Sequence, residues 1–264
     1  MERTFIALQK LSDLAARCGV TRRAAVATSA VRDSTNRKVF MKRAQEILGC
    51  NIRLLSGDEE AETTFQGVAS DPFWHPRGLF VTEVGGGSAQ WIQGNSQGIQ
   101  QKLSLPLGAV RLRERFISSH PVGQPALKKL LAALHDQLQP ALAYYTLGDR
   151  LFVGTGGTAT TLAAIDQCLH PYDPARIDHY RLTRHELATR LEHLAGLSLD
   201  ELKHQVPGLP HKRADLMVPG GAVLYVTMEI IGAHELVASV RGLRYGLMRQ
   251  LLDQPNQRDA GPGS

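Results

Sequence analysis

The sequence predicts an α/β protein built from two units, and three observations lead to this prediction. Short apolar runs alternate with helical patterns in the first part of the chain. The Pro-broken segment SDPFWHPRG (70–78) separates this part from the rest. The second part opens with an apolar strand, a glycine-rich turn and two more strand patterns, as in a β-meander. Alternation of strands and helices is typical of a parallel sheet covered by helices.

In the first part, apolar residues recur at helical or strand spacing up to the Pro-broken segment. Ser56 and Glu59 have the spacing of a capping box, in which each side chain pairs with the other residue's backbone N–H. The expected elements are a helix over 3–18, a strand at 24–27, a helix ending near Gly49, a strand at 51–56 and a helix ending near Val68.

The second part alternates strand and helix patterns in the same way. The tail 253–264 is polar and rich in Gly and Pro, so it is expected to be disordered. The expected elements are strands at 78–84, 89–93 and 102–108, helices at 109–116 and 124–145, a strand and a helix within 150–165, a loop at 168–180, helices within 183–204 and 212–232, and a strand at 236–240.

Composition narrows the class of protein. With 264 residues, 43% of them hydrophobic, the chain can form one large core or two smaller ones. The excess of Lys plus Arg (30) over Asp plus Glu (25) is spread along the chain, so nucleic acid is not an expected partner. Cys18, Cys50 and Cys168 lack metal-site spacing and indicate reduced thiols in a cytoplasmic protein. Neither a membrane span nor a signal peptide is expected.

Two glycine motifs carry the first functional hypothesis. VTEVGGGSAQ (81–90) places Gly85, Gly86, Gly87 and Ser88 directly after a strand, which fits either a tight hairpin turn or a loop of N–H groups around an anionic oxygen. Gly154, Thr155, Gly156, Gly157 and Thr158 lie between a strand and a helix, where the helix N-terminus attracts phosphate and the Thr hydroxyls can donate. Two such turns can hold successive phosphates of one ligand.

Charged residues complete the candidate site. Glu60 can orient and deprotonate a water for attack on phosphorus, whereas Asp58 and Glu62 are expected to be solvated surface acids. Glu83, at the end of a strand, can hold Mg²⁺ or serve a purely structural role. Arg32 supplies a guanidinium suited to bidentate phosphate contact, although most arginines lie on the surface.

These motifs resemble the family of exopolyphosphatases and guanosine pentaphosphate phosphohydrolases. The resemblance is carried, in family order, by ATSAVRDSTN (27–36), SGDEEAE (56–62), VTEVGGGSAQ (81–90), SLPLGAVRL (104–112), VGTGGTATTLAAI (153–165), PGLPHKRADLMVPGG (207–221) and RGLRYGL (241–247). It implies an actin-like fold of two α/β domains with the active site between them. It also implies Mg²⁺-dependent removal of terminal phosphate from polyphosphate, or of the 5′ γ-phosphate from guanosine pentaphosphate.

The resemblance also assigns roles by position. Glu60 matches the general base, Arg32 a phosphate-binding arginine, and Gly85 to Ser88 and Gly154 to Thr158 the phosphate loops. It implies a first domain over 1–77, a second over 78–240, and a helix at 241–252 that returns to the first. Three departures stand out: Glu83 replaces an Asp, Ala89-Gln90 replaces Thr-Glu, and the first strand with its DxGSxS-type loop is missing.

The missing strand leaves two interpretations open. In the first, the sequence belongs to a phosphohydrolase and begins after the family's first loop. In the second, the chain is an inactive actin-like module that binds phosphate or a partner. A first domain without its first strands would have an unpaired sheet edge, which favours self-association, for example as a homodimer.

Overall fold

The structure, a computed structural model, describes residues 1–253. The part of the chain that it describes contains both helices and strands from end to end. The helices are α1 (Glu2–Arg17), α2 (Ser29–Arg32), α3 (Arg37–Leu48), α4 (Gly57–Ala69), α5 (Ala109–Phe116), α6 (Gly123–Ala141), α7 (Gly156–Asp166), α8 (Pro174–Ile177), α9 (Arg184–Gly196), α10 (Leu199–His204), α11 (Met217–Ile231) and α12 (Leu243–Asp253). The strands are β1 (Ala25–Ala27), β2 (Ile52–Leu54), β3 (Leu79–Val84), β4 (Ala89–Asn95), β5 (Gly98–Leu105), β6 (Leu151–Thr155), β7 (Arg181–Thr183) and β8 (Glu235–Ser239).

A small N-terminal layer is built around two parallel strands. β1 pairs with β2 in the register Ala25 to Ile52, and helices α1 and α3 pack against each other beside them. The apolar face of this layer is small: its buried members are Phe5, Ala27, Ala44 and Ile52. Phe5 of α1 stacks on Phe40 of α3, with ring centroids 5.4 Å apart. This layer carries Arg32.

A six-stranded sheet in the order β5-β4-β3-β6-β8-β7 forms the centre of the rest of the molecule. β3, β4 and β5 are antiparallel neighbours, so the predicted meander is confirmed. β3, β6 and β8 run parallel, which brings the ends of β3 and β6, with Glu83 beside Thr155, to one edge of the sheet. Both glycine motifs follow this edge.

Two local predictions differ from the structure. The predicted loop at 168–180 contains α8, and the predicted helical stretch from 183 is preceded by the edge strand β7. β7 has three residues, of which only Leu182 is buried, so its apolar pattern is too short to show in the sequence. Of the tail predicted to be disordered, Asp253 ends α12 and the remainder lies outside the described residues.

Helix α11 is the central helix of the larger unit. The segment His211–Ile231 is long and apolar enough to cross a membrane by length and composition, with a mean hydropathy of 1.4, but 67% of it is buried inside the protein. It packs against α6, α7 and α9. Its apolar character is therefore that of a core helix.

Helix α4 packs on the six-stranded sheet, and not on β1 and β2. Its residues Ala61, Phe65 and Val68 share a buried cluster with residues of β3, β4, β6 and β8. The change from one packing layer to the next therefore falls just before α4, about twenty residues earlier in the chain than the proposed domain boundary at 77. Glu60 and Arg32 consequently approach each other from different layers.

The last helix, α12, returns to lie against α4. Glycines allow the two backbones to approach closely: a Cβ on Gly246 would come within 2.8 Å of the Thr63 carbonyl carbon. A Cβ on Gly67 would lie 2.8 Å from the backbone nitrogen of Gly246. Gln250 of α12 also accepts a hydrogen bond of 3.1 Å from Arg53 of β2, so α12 joins both layers.

Replacing Gly246 by Ala is expected to lower the free energy of unfolding by about 1–3 kcal/mol, because the added methyl group forces α12 away from the α4 backbone. Urea denaturation of the purified variant measures this loss. Gly196→Ala is the matched control, since a Cβ on Gly196 at the end of α9 meets nothing within 4 Å. Equal stability of the two variants would show that the α4 to α12 contact is looser than described.

Candidate active site

The start of α4 positions the carboxylate of Glu60. Ser56 and Glu59 form the predicted capping box: Ser56 Oγ accepts from the Glu59 N–H at 3.1 Å, and Glu59 Oε2 accepts from the Ser56 N–H at 2.8 Å. Glu59 is thereby held at the helix end. Glu60, the next residue, is 7% exposed. Asp58 and Glu62 lie on the surface beside Lys102, as expected.

The surroundings of Glu60 favour its neutral form. Burial and, secondly, the negative charge of Glu83 raise the Glu60 pKa to about 7, while Arg32 acts in the opposite direction. Arg32 Nη1 lies 3.5 Å from Glu60 Oε2. A carboxyl group with a pKa near 7 changes charge within the neutral range, which suits a general base.

Arg32 is held in place by the backbone of its own layer, just after β2. Its Nη1 donates to the Leu55 carbonyl oxygen at 2.7 Å, and its Nε lies 3.7 Å from Asp33 Oδ1. The side chain is 25% exposed. Since a guanidinium has five N–H donors, these contacts leave some of them for an anion.

Glu83 lies at the end of β3 and contacts both α4 and the second glycine motif. Its Oε2 accepts a hydrogen bond of 2.6 Å from Thr64 Oγ1, and its Oε1 is so close to Gly156 that a Cβ there would be 2.8 Å away. Burial raises the pKa of Glu83, against the effects of Thr64 and Arg244. Two carboxylates with raised pKa values, Glu60 and Glu83, therefore share the cleft.

The loop from Gly85 to Ser88 presents unpaired backbone donors. Its carbonyl groups are engaged, since Ala109 donates to the Gly85 oxygen and Val110 to the Gly86 oxygen, both at 2.9 Å. Within the described residues, the N–H groups of Gly86, Gly87 and Ser88 have no acceptor. Consecutive unpaired N–H groups are the arrangement that binds an anionic oxygen.

Gly87 also touches the opposite layer. A Cβ on Gly87 would lie 3.1 Å from Ser29 Cβ, and Ser29, in α2, is 3% exposed. Arg111 of α5 donates through Nε to the Gly87 oxygen at 2.8 Å and pairs with Asp33 of the N-terminal layer. These contacts fix the width of the cleft at the glycine loop.

The second glycine motif joins β6 to α7. The hydroxyl of Thr155 is directed to the backbone oxygens of Ser239 and Arg241, at 3.0 and 2.8 Å, and that of Thr158 donates to the Val84 oxygen at 2.9 Å. The expectation that these hydroxyls contact the ligand is therefore corrected. They join neighbouring segments, and the motif offers an anion its backbone N–H groups, because no side chain caps α7.

Two arginines that the sequence analysis gave no role line the cavity beside this motif. The cavity, of about 590 Å³, is bounded by Glu83, the start of α7, Arg213 and Arg244. The guanidinium of Arg213 lies over Gly157, where a Cβ would overlap it. Neither guanidinium has a hydrogen bond or ion pair within the described residues. The sequence did contain a signal for both arginines, because Arg213 belongs to the motif at 207–221 and Arg244 to the motif at 241–247.

Asp71, Asp178 and His179 form a second cluster whose ligand atoms lie within 4.8 Å of one another. His179 Nε2 is 2.8 Å from Asp71 Oδ2, and the Arg241 guanidinium is 3.5 Å from the same oxygen. The Arg241 guanidinium therefore already supplies positive charge next to the Asp71 oxygen that His179 contacts. This cluster fastens the segment after α4 to the loops before β7 and α12.

The fold and the cleft define an α/β protein in which a buried carboxylate lies beside unpaired backbone donors. The chain belongs to the Ppx/GppA phosphatase family, which matches residues 1–254. The family inferred from the sequence motifs is thereby confirmed, and it is a family of hydrolases.

Curated proteins are similar in sequence to the chain over most of its length. It is 33% identical over 208 residues to Exopolyphosphatase 2 of Mycobacterium tuberculosis, covering 75% of this chain and 63% of that protein. It is 30% identical over 236 residues to the guanosine-5′-triphosphate,3′-diphosphate pyrophosphatase of Vibrio parahaemolyticus, covering 89% and 46%. A bifunctional 3-dehydroquinate synthase/phosphatase of Fusobacterium nucleatum is 29% identical, covering 90% and 36%. The chain thus spans between about a third and two thirds of these relatives' lengths.

Solved structures confirm the predicted fold. A Ppx/GppA family member from Aquifex aeolicus is 27% identical, with a TM-score of 0.82, and the match covers 97% of this chain and 82% of that one. An exopolyphosphatase-like protein is 26% identical, with a TM-score of 0.85 and coverages of 96% and 83%. The chain therefore has the α/β fold of the Ppx/GppA family.

Proposed function

We propose that this protein releases terminal phosphate from polyphosphate, or the 5′ γ-phosphate from guanosine pentaphosphate. The observation that carries the proposal is Glu60, a buried carboxyl group with a pKa of about 7 next to an arginine. It supports the general-base role that the sequence resemblance implies. The names of the relatives from Mycobacterium tuberculosis and Vibrio parahaemolyticus support these two substrates.

In the proposed reaction, ionised Glu60 accepts a proton from a water whose oxygen attacks the terminal phosphorus. The bond from that phosphorus to the bridging oxygen breaks, which yields inorganic phosphate and a chain shorter by one unit. Arg32 and the N–H groups of Gly86 to Ser88 hold the oxygens of the transferring group, and the start of α7 with Arg213 holds the next phosphate.

The residues of the cleft fit a Mg²⁺ ion. Mg²⁺ in phosphate sites is held by one or two carboxylates, with substrate oxygens and water as its other ligands. Glu83 supplies a half-buried carboxylate at the cleft edge, and its pKa is raised because it is desolvated there. We infer that Glu83 holds the ion, which would neutralise charge on the phosphate oxygens.

The pH dependence of turnover tests the role of Glu60. Because the base must be ionised, kcat/KM for polyphosphate is expected to fall about tenfold per pH unit below a midpoint near 7. Phosphate release at saturating Mg²⁺, followed from about pH 5 to about pH 9, measures this acidic limb of the profile. The expected change in the charge of Glu60 falls within that range. Asp58→Asn is expected to retain the limb, since Asp58 is 66% exposed.

A rate that stays constant down to pH ~5, as for a base with the ordinary Glu pKa of 4.5, would contradict the raised Glu60 pKa on which the proposal rests. If no phosphate is released from either substrate at any pH while polyphosphate still binds, the chain is the phosphate-binding module of the second interpretation.

A further inference from the structure

The Glu83 carboxylate accepts a single hydrogen bond from a side chain on another element. Thr64 of α4 donates from Oγ1 to Glu83 Oε2 at 2.6 Å. Within residues 1–253, no other hydrogen bond or ion pair reaches this carboxylate. Thr64 is 0% exposed, so water does not compete for its hydroxyl. The hydrogen bond therefore limits the directions in which the Glu83 carboxylate can point.

The Thr64 hydroxyl does not make the bond that is common for a threonine inside a helix. Such a hydroxyl usually donates to the carbonyl oxygen four residues earlier. Thr63 does so, since its Oγ1 donates to the Glu59 oxygen at 2.7 Å. Thr64, which is also buried, donates to Glu83 instead. It lies one helical turn after Glu60, so it connects the helix that carries the proposed base to the proposed cation ligand.

The length of the Glu83 side chain fits this contact. On its other side the carboxylate faces Gly156 at the start of α7: a Cβ on Gly156 would lie 2.8 Å from Glu83 Oε1 and 3.2 Å from Glu83 Cδ. The sequence resemblance implies Asp at position 83, and the carboxylate of an Asp would end one methylene, about 1.5 Å, short of this place. An Asp would therefore be too short to accept the Thr64 hydrogen bond at its present length.

We propose that Thr64 is a positioning residue that adapts this site to a glutamate: it holds Glu83 Oε2, so that Oε1 is turned towards the start of α7 to bind a divalent cation. The inference rests on the proposed function, in which Glu83 holds Mg²⁺. Mg²⁺ demands nearly ideal octahedral geometry, and hydrogen bonds to a ligating carboxylate fix its orientation. Thr64 and Glu83 should therefore act as a pair, in which loss of either member removes the same contribution to cation binding.

Binding of Mn²⁺ to the full chain, followed by electron paramagnetic resonance without substrate, tests this pair. Mn²⁺ is the probe because it takes the same oxygen ligands as Mg²⁺. Thr64→Val is expected to raise the Kd about tenfold, the lower end of the range for loss of a hydrogen bond to a metal ligand. Thr64→Ser keeps the hydroxyl and should retain most of the affinity. Thr63→Val is the matched control, since it removes a buried hydroxyl that does not contact Glu83, and its Kd should not change.

A second substitution shows whether the two residues act together. Glu83→Asp should weaken Mn²⁺ binding about as much as Thr64→Val, because it gives up the same hydrogen bond. The double variant should then bind no more weakly than either single variant. Additive losses overturn the pair, and so does a Thr64→Val protein that binds Mn²⁺ as the unmodified protein does. An equal loss in Thr63→Val would overturn it as well.

Phosphate release separates this inference from the proposed function. Release by Thr64→Val should be low at limiting Mg²⁺ and recover at high Mg²⁺, because the substitution weakens cation binding and leaves Glu60 in place. A loss that high Mg²⁺ does not restore would overturn the positioning role. If the Mn²⁺ affinities follow the expected pattern while even the unmodified protein releases no phosphate, the pair stands and the proposed function fails. Normal release with an unchanged Mn²⁺ affinity in Thr64→Val overturns the pair and leaves the proposed function intact.

Discussion

Replacement of Glu60 by Gln is expected to lower phosphate release by about 10²- to 10⁴-fold, the range for removal of a general base. The amide keeps the size of the side chain, but it cannot take the proton of the attacking water. Glu60 is the buried acid beside Arg32, and its pKa near 7 makes it the acid of the α4 start best suited to this step. Affinity for polyphosphate should be largely retained, because Arg32 and the glycine loop remain.

Single-turnover phosphate release and equilibrium binding measure the two effects separately. Asp58→Asn is the matched control: it changes a carboxylate to an amide two residues away, at a side chain that is 66% exposed and faces Lys102. Turnover of Glu60→Gln within a few-fold of the unmodified protein would remove Glu60 from the mechanism. So would an equal loss in both variants.

Replacement of Gly87 by Ala is expected to lower turnover by about 10²-fold, the effect of a displacement of about 1 Å in a phosphate site. The added Cβ would come closer than 3.0 Å to Ser29 Oγ. Ser29 is 3% exposed and its hydroxyl donates to Asp33 at 3.0 Å, so it has little room to move. The glycine loop and the N-terminal layer must then separate, which withdraws Arg32 from the loop N–H groups.

The neighbouring residue provides the control. A Cβ on Gly86 would meet Val110 Cγ2 at 3.4 Å, which is ordinary van der Waals contact. Gly86→Ala should therefore keep most of the turnover, although it adds the same methyl group to the same loop. Similar losses in the two variants would mean that loop flexibility, and not cleft width, limits the reaction.

The sequence was most informative where a local pattern determines the structure. Ser56 and Glu59 predicted their capping box because the partners are three residues apart, and the strand patterns at 78–84, 89–93 and 102–108 predicted the meander. The glycines after both strands predicted turns, and the structure adds that the parallel pairing of β3 with β6 places the two turns at one edge of the sheet.

What the sequence did not reveal depends on residues that are distant along the chain. The Thr155 and Thr158 hydroxyls were expected to face the ligand, yet their acceptors belong to segments about 75 to 85 residues away. Arg213 and Arg244 reach Gly157 and Glu83 only through the tertiary fold. The placement of α4 on the larger sheet likewise depends on strands that follow it.

The close packing of α12 on α4 has a consequence for the order of events during synthesis. Helix α4 can dock on β3, β4 and β5 soon after these strands leave the ribosome, because they follow it directly. Its other flank, at Gly67, stays uncovered until Gly246 emerges, after nearly all of the larger unit has been translated. In a nascent chain stalled before α12, helix α4, which carries Glu60, should therefore be packed on one side only. A protease should cleave α4 in that stalled chain more readily than in the released protein.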